Sequence, residues 1–87
     1  EKYILSKMSH NIEERVNGVF RRIFKNDSIQ VNRSTTAQDI KGWDSITHLH
    51  IISGMEEEFS VEITGFEVMN MENVGDLFDL LSDKLSE

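Results

Sequence analysis

Three separated runs of apolar residues recur at three-and-four spacing along this chain, and that period admits few folds. Ile12, Val16, Val19, Phe20 and Ile23 form the first run. Leu49, Ile52, Met55 and Phe59 form the second, and Val74, Leu77, Phe78, Leu81 and Leu85 the third. Such spacing puts the apolar side chains on one side of an α-helix, where they must find a partner surface. Three such faces sharing one centre predict an all-α fold: a small four-helix bundle of three main helices and one short one, with a long loop after helix one.

The punctuation between the runs sets the expected boundaries. Helix one spans residues 11–25, with Asn11 as its cap and Glu13 and Glu14 in its first turn. Leu5 and Met8 carry the stripe further back, so residues 1–10 are either an N-terminal extension or the start of helix one. Met8-Ser9-His10 reads equally well as a natural start preceded by appended residues, and residues 11–87 form one domain. Asn26-Asp27-Ser28 breaks the helix. A polar connection over 27–43 follows, and a loop of that length needs either a function or anchors such as Ile29, Val31, Ile40 and Trp43. Helix two starts at Asp44 or Ser45 and ends at Phe59. Val61 and Ile63 are spaced as an extended pair, Thr64-Gly65 turns the chain, and residues 66–71 form a short helical piece. Asn73 caps the last helix over 74–85, with Asp76 in the place of a weak capping box.

Composition removes several function classes. With 87 residues the core is small, and with no cysteine it has neither disulfides nor a thiolate metal site. Lack of cysteine fits a reducing cytoplasm. The apolar stretches are too short to span a bilayer, and membrane insertion is not expected. The net charge of −7 is uneven: residues 1–38 carry seven Lys/Arg against four Asp/Glu, and residues 39–87 carry twelve Asp/Glu against two Lys. Phosphate repulsion by the acidic half opposes nucleic-acid binding. The same charge would steer basic partner surfaces toward the region around Ser45, or would merely solvate a small helical protein.

Catalytic and metal motifs are missing. His48 and His50 stand two apart, on different faces of a helix, whereas a helical zinc pair needs a spacing of four. There is no EF-hand loop, no Gly-x-Ser-x-Gly elbow around Ser45 and no Gly-rich phosphate loop. The four methionines sit at or near apolar positions, as core filler does. Catalysis by this chain alone is therefore not expected.

Gly42-Trp43-Asp44-Ser45-Ile46 is the segment with the most chemical content. It puts a serine hydroxyl at the first turn of helix two with no base or nucleophile-activating residue beside it. Two readings are open. Asp44 or Ser45 is simply the helix cap. Alternatively Ser45 carries a phosphodiester, which the unpaired N–H groups and positive dipole of a helix start favour. On a wheel of about 100° per residue, Ile46 falls roughly 140° from the centre of the core arc. His50, Ser53 and Glu57 share that outer face, and an apolar residue at its head reads as a contact.

Asp44-Ser45-Ile46, the helix ending Met55-Glu56-Glu57-Glu58-Phe59, and Val61-Glu62-Ile63 resemble the signature of the acyl carrier protein family. Ile12-Glu13-Glu14-Arg15-Val16 is similar to that family's first helix, and the layout of three main helices and a short third one is similar as well. The resemblance covers residues 11–85. It implies that Ser45 is where a phosphopantetheinyl transferase attaches 4′-phosphopantetheine from coenzyme A, with Asp44 presenting the serine. An acyl or aminoacyl group is then held as a thioester and shown to partner enzymes: an acyl or aminoacyl ligase and downstream acyltransferases or synthases. Ile46, His50, Ser53 and Glu57 correspond to partner contacts, and a monomer is expected. The family also implies that longer acyl chains tuck between the helices, where Met55, Phe59, Ile63 and Met71 either line the chain or serve only as core.

Some residues depart from the housekeeping pattern. Trp43 stands where fatty-acid carriers usually have a small residue, and His50 and Ser53 replace acidic and apolar ones. These departures weaken a fatty-acid synthesis reading and favour a specialised polyketide, lipid or surface-polysaccharide pathway. An aminoacyl or peptidyl carrier, or an acidic helical interaction module with no prosthetic group, is the alternative.

Overall fold

The computed structural model describes the backbone of residues 2–85 and the side chains of residues 12–85. Among them the regular structure is helical, with no strand: α1 (Lys2–Phe24), α2 (Ser45–Phe59), α3 (Gly65–Met69) and α4 (Val74–Leu85), plus one 3₁₀ turn at Ala37–Asp39 in the long loop. α1 therefore starts well before the expected boundary. Asn11 lies inside it and is no cap, and Glu13 and Glu14 are mid-helix residues. The side chains of Leu5 and Met8 lie outside the described residues.

α1 and α2 run antiparallel, which two contacts at opposite ends fix. Arg15 meets the C-terminal end of α2, its Nε donating to the Glu58 carboxylate at 2.8 Å and its guanidinium lying 4.4 Å above the Phe59 ring. At the other end Phe20 and Phe24 pack on Trp43, just before α2. Between them the helices close at Gly54. A Cβ there would stand 2.9 Å from Val19 Cγ1 and 3.3 Å from Ile23 Cδ1, so only glycine allows this approach. α4 also packs on α1 and buries Val74, Leu77, Phe78 and Leu81, as its stripe predicts.

The close contact at Gly54 corrects the expected rotation of α2. Its buried arc is Ile51, Ile52, Gly54, Met55 and Phe59, centred on Met55. Leu49, expected in the core, is 62% exposed, while Ile51, absent from the expected stripe, is 1% exposed. Leu49 stands about 120° from Met55 on the wheel, beyond the edge of the core face. Glycine adds no apolar weight to a periodicity count, yet here it decides which side of the helix turns inward.

The long loop is pinned, as its apolar anchors predict. Val31 is buried, and Ile29, Ile40 and Trp43 are packed against the core. A polar anchor adds to them: buried Asn17 accepts from the Val31 N–H at 2.6 Å and donates to the Glu13 carbonyl at 3.0 Å. Arg21 Nε donates to the Ile29 carbonyl at 2.7 Å. Further on, the N–H groups of Val74 and Gly75 donate to the carbonyls of Thr35 and Arg33, both at 2.9 Å, so the loop satisfies donors that a helix start leaves free.

Both long helices end without glycine. Lys25 and Ser60 take left-handed backbone angles, with φ of 54° and 56°. The following N–H groups of Asn26 and Val61 reach back to the carbonyls of Arg21 and Glu56, the six-to-one closure of a Schellman end. α3 is shorter and starts earlier than the expected 66–71: Thr64 caps it, exchanging hydrogen bonds with Glu67 in a capping box. Lys84 of α4 pairs with Glu67 at 3.1 Å. Asn73 caps α4 by accepting from the Asp76 N–H at 2.9 Å. The Asp76 carboxylate takes the Glu72 N–H instead of the cap's own, so the box expected there is incomplete.

Candidate functional site

The start of α2 is built by four consecutive residues. Gly42 has φ of +92°, a left-handed angle that other residues rarely adopt, and it turns the chain out of the loop. Trp43 follows, half-buried, with its ring edge-on to Phe20 at 5.2 Å and tilted toward Phe24 at 6.5 Å. Asp44 is the cap: its Oδ1 accepts from the Thr47 N–H at 2.9 Å, while its backbone carbonyl receives the His48 N–H at 2.8 Å. The Thr47 hydroxyl closes the turn by donating to the Gly42 carbonyl at 3.0 Å. That Thr47 N–H is also the largest reason the Asp44 carboxyl is held below its ordinary pKa.

With Asp44 as cap, Ser45 has no structural duty. It is the first residue of α2, it is exposed, and none of the hydrogen bonds of the turn involves its hydroxyl. This resolves the choice of cap left open by the sequence.

One turn further, His48 faces back toward Trp43. The indole Nε1 donates to His48 Nδ1 at 3.1 Å, and the two rings stack at 5.9 Å with 19° between their planes. An accepting Nδ1 puts the proton of a neutral imidazole on Nε2. Sequence reading treated His48 only as half of a failed metal pair. Its spacing, three after Ser45 and five after Trp43, was the available signal.

Two hollows share this pair as a wall. An open recess beside Ser45 is lined by Ala37, Trp43, Asp44, Ser45 and His48. The other, a cavity of about 70 Å³, is lined by Ile51, Ile52, Val74 and Leu77, by Met71, Glu72 and Asn73, and by Ala37, Trp43 and His48. Of the four residues expected to line an acyl chain, Met71 lies on this wall. Met55, Phe59 and Ile63 are buried in the core and are not part of it.

The outward face of α2 carries Ile46, 67% exposed, together with exposed His50, Ser53 and Glu57. Leu49 joins Ile46 there, one turn on, and was missed because it was assigned to the core. Phe66 and Met69 of α3 are also exposed, at 77% and 84%. No Asp, Glu, Lys or Arg lies from Ser45 to Met55, so no carboxylate follows Asp44 along α2 until Glu56.

No model of a known protein family matches the chain. Among solved structures it is similar to a holo acyl carrier protein from Geobacter metallireducens, with a TM-score of 0.79 and 37% sequence identity over 84% of each chain. Fold and sequence thus agree over most of the molecule, and the chain belongs to the acyl carrier protein family.

Proposed function

We propose that this protein is a carrier modified on Ser45 with 4′-phosphopantetheine, which takes acyl groups from one partner enzyme to the next. The observation that carries the reading is the division of labour at the helix start: Asp44 holds the cap, and the adjacent Ser45 hydroxyl is exposed and uncommitted. A phosphodiester fits there, since the position faces solvent and the positive end of α2 favours an anion. In the modification, Ser45 Oγ forms the new bond to phosphorus and gives its proton to a base of the transferase. The bond to the nucleotide half of coenzyme A breaks, and that half leaves. When bound, the arm supplies a thiol for thioester formation, and the chain contributes tethering and docking while partners do the chemistry.

Asp44 acts by fixing the turn that presents Ser45. Ile46, His50, Ser53 and Glu57 form the surface that a phosphopantetheinyl transferase, a ligase and downstream acyltransferases or synthases would read. The uncharged stretch over Ser45–Met55, with Trp43 ahead of it, supports a specialised polyketide, lipid or surface-polysaccharide pathway over housekeeping fatty-acid synthesis. No helix among the described residues is long and apolar enough to cross a membrane. The test is incubation with coenzyme A and a broad-specificity transferase. A mass gain of one phosphopantetheine that disappears in Ser45→Ala is expected. No gain, or a gain that survives the substitution, refutes the reading.

A further inference from the structure

We propose that His48 binds the phosphodiester of the arm, donating its Nε2–H to a phosphate oxygen and fixing the base of the arm beside Ser45. The proposal rests on the carrier reading of Ser45 and adds the side chain that receives the group once it is attached.

Three observations lead to it. First, His48 stands where the group arrives. It follows Ser45 by three residues on α2, a spacing that puts two Cβ atoms about 5–6 Å apart on one side of a helix. Helical side chains also lean toward the N-terminus, and the 3.1 Å bond to the Trp43 indole shows His48 leaning that way. Ser45 and His48 line the same open recess.

Second, the imidazole is oriented with one nitrogen free. Trp43 is backed by Phe20 and Phe24, and its Nε1–H takes up the lone pair of His48 Nδ1. The neutral ring then carries its proton on Nε2. Nε2 has no hydrogen-bond partner among the described residues, and no buried side-chain polar atom among them lacks one, so Nε2 reaches solvent. Neither nitrogen of this tautomer has a lone pair left for the Ser45 proton. His48 can therefore bind an anion but cannot be the base of the transfer.

Third, nothing else in the recess does the same work. Among the described residues no Lys or Arg lines it. The carboxylates bordering the two hollows that His48 shares are those of Asp44 and Glu72. Asp44 already accepts the Thr47 N–H, and among the described residues neither carboxylate forms an ion pair with His48. A bond from Nε2–H to an ionised phosphate oxygen is of the stronger, charge-assisted kind, and the tether makes it intramolecular.

The test uses the full chain, isotope-labelled and loaded on Ser45 from coenzyme A by a broad-specificity transferase. At about pH 8, above the usual imidazole range, nitrogen resonances of the rings and the phosphorus resonance of the arm are followed. Before loading, His48 should show the Nε2–H tautomer. On loading, its Nε2 resonance should shift, while that of exposed His50, on a different face of the helix, stays in place. The phosphorus resonance should be displaced from its position in a short peptide carrying the same arm, and His48→Ala should return it there. His48→Gln, which keeps an N–H near the place of Nε2, should retain part of the displacement. Trp43→Phe, which keeps a ring but removes the indole donor, should mix the tautomers and reduce it. An Nδ1–H tautomer before loading, an Nε2 resonance indifferent to loading, or a phosphorus resonance that His48→Ala leaves unmoved overturns the His48 contact alone. Failure of Ser45 to accept any arm overturns the carrier reading and the contact with it.

Discussion

The Asp44 carboxylate accepts the Thr47 backbone N–H at 2.9 Å, and this one bond separates the two jobs that a helix start can give to neighbouring residues. Asp44 holds the first turn of α2, and the Ser45 hydroxyl is left exposed. Ser45→Ala should therefore change the unfolding free energy by no more than about 0.5 kcal/mol, the usual range for an exposed side chain without partners. Asp44→Ala should lower the denaturation midpoint and fray the first turn. Urea unfolding followed by circular dichroism measures both. A marked destabilisation by Ser45→Ala would mean that the serine, not the aspartate, carries the cap.

Acid should weaken the fold in a definite window. Asp44, Glu67 and Asp79 all have carboxyls held below their ordinary values: Asp44 by the Thr47 N–H, Glu67 by the Thr64 N–H with help from Lys84, and Asp79 by Arg33. In the unfolded chain these groups take up protons near 3.8 for Asp and 4.5 for Glu, and in the folded chain only at lower pH. The unfolded state thus binds more protons as pH falls through this range, and stability is progressively lost. Above about pH 5.5 these three groups should contribute a pH-independent amount. Thermal midpoints measured from pH 7 to 3 check this, and a midpoint that stays level or rises below pH 4.5 would contradict it.

Gly54 should be intolerant of even one added methyl. The side chain it would meet, Val19, is branched at Cβ and held without exposed surface, so it cannot swing clear. Gly54→Ala should destabilise the protein by about 1–3 kcal/mol through overpacking, despite alanine's better helix propensity. Denaturant unfolding decides between the two effects. A gain in stability would show that α1 and α2 can separate at no net cost.

Gly54 also marks the limit of what the sequence could tell. The span and buried face of the last helix were legible, because Val74, Leu77, Phe78 and Leu81 carry both the period and the burial. Ser45 was legible as a candidate because Asp-Ser-Ile at a helix start is a local pattern. The rotation of α2 was not, since a residue with no side chain sets it and exchanges Leu49 for Ile51 in the core. Asn17 was hidden for a related reason: its value lies in Val31, fourteen residues away, and no local period reports such a partner. The Trp43–His48 bond joins a loop residue to a helix residue and becomes visible only when the turn between them is built. The ends of helices one and two were legible to within a residue, but their left-handed closures at Lys25 and Ser60 were not, because neither is the glycine that usually announces such a turn.

The corrected face of α2 yields the last prediction. Ile46 and Leu49 lie one turn apart, both well exposed, on a stretch that carries no charge until Glu56. Apolar contact, not charge attraction, should then dominate docking of the transferase at this end of the helix. Truncating both residues to alanine should leave the fold intact, since neither touches the core cluster. It should raise the transferase's KM for this carrier about tenfold or more with kcat little changed, because each side chain buried against a partner contributes on the order of 1.5–3 kcal/mol. Raising salt from 50 to 300 mM should alter KM much less than the double substitution does, because exposed charges beyond a Debye length of about 10 Å act weakly. Steady-state kinetics of arm transfer measure all three quantities. A KM unchanged by the double substitution, or a loss in high salt that exceeds it, would return recognition to the acidic residues from Glu56 onward.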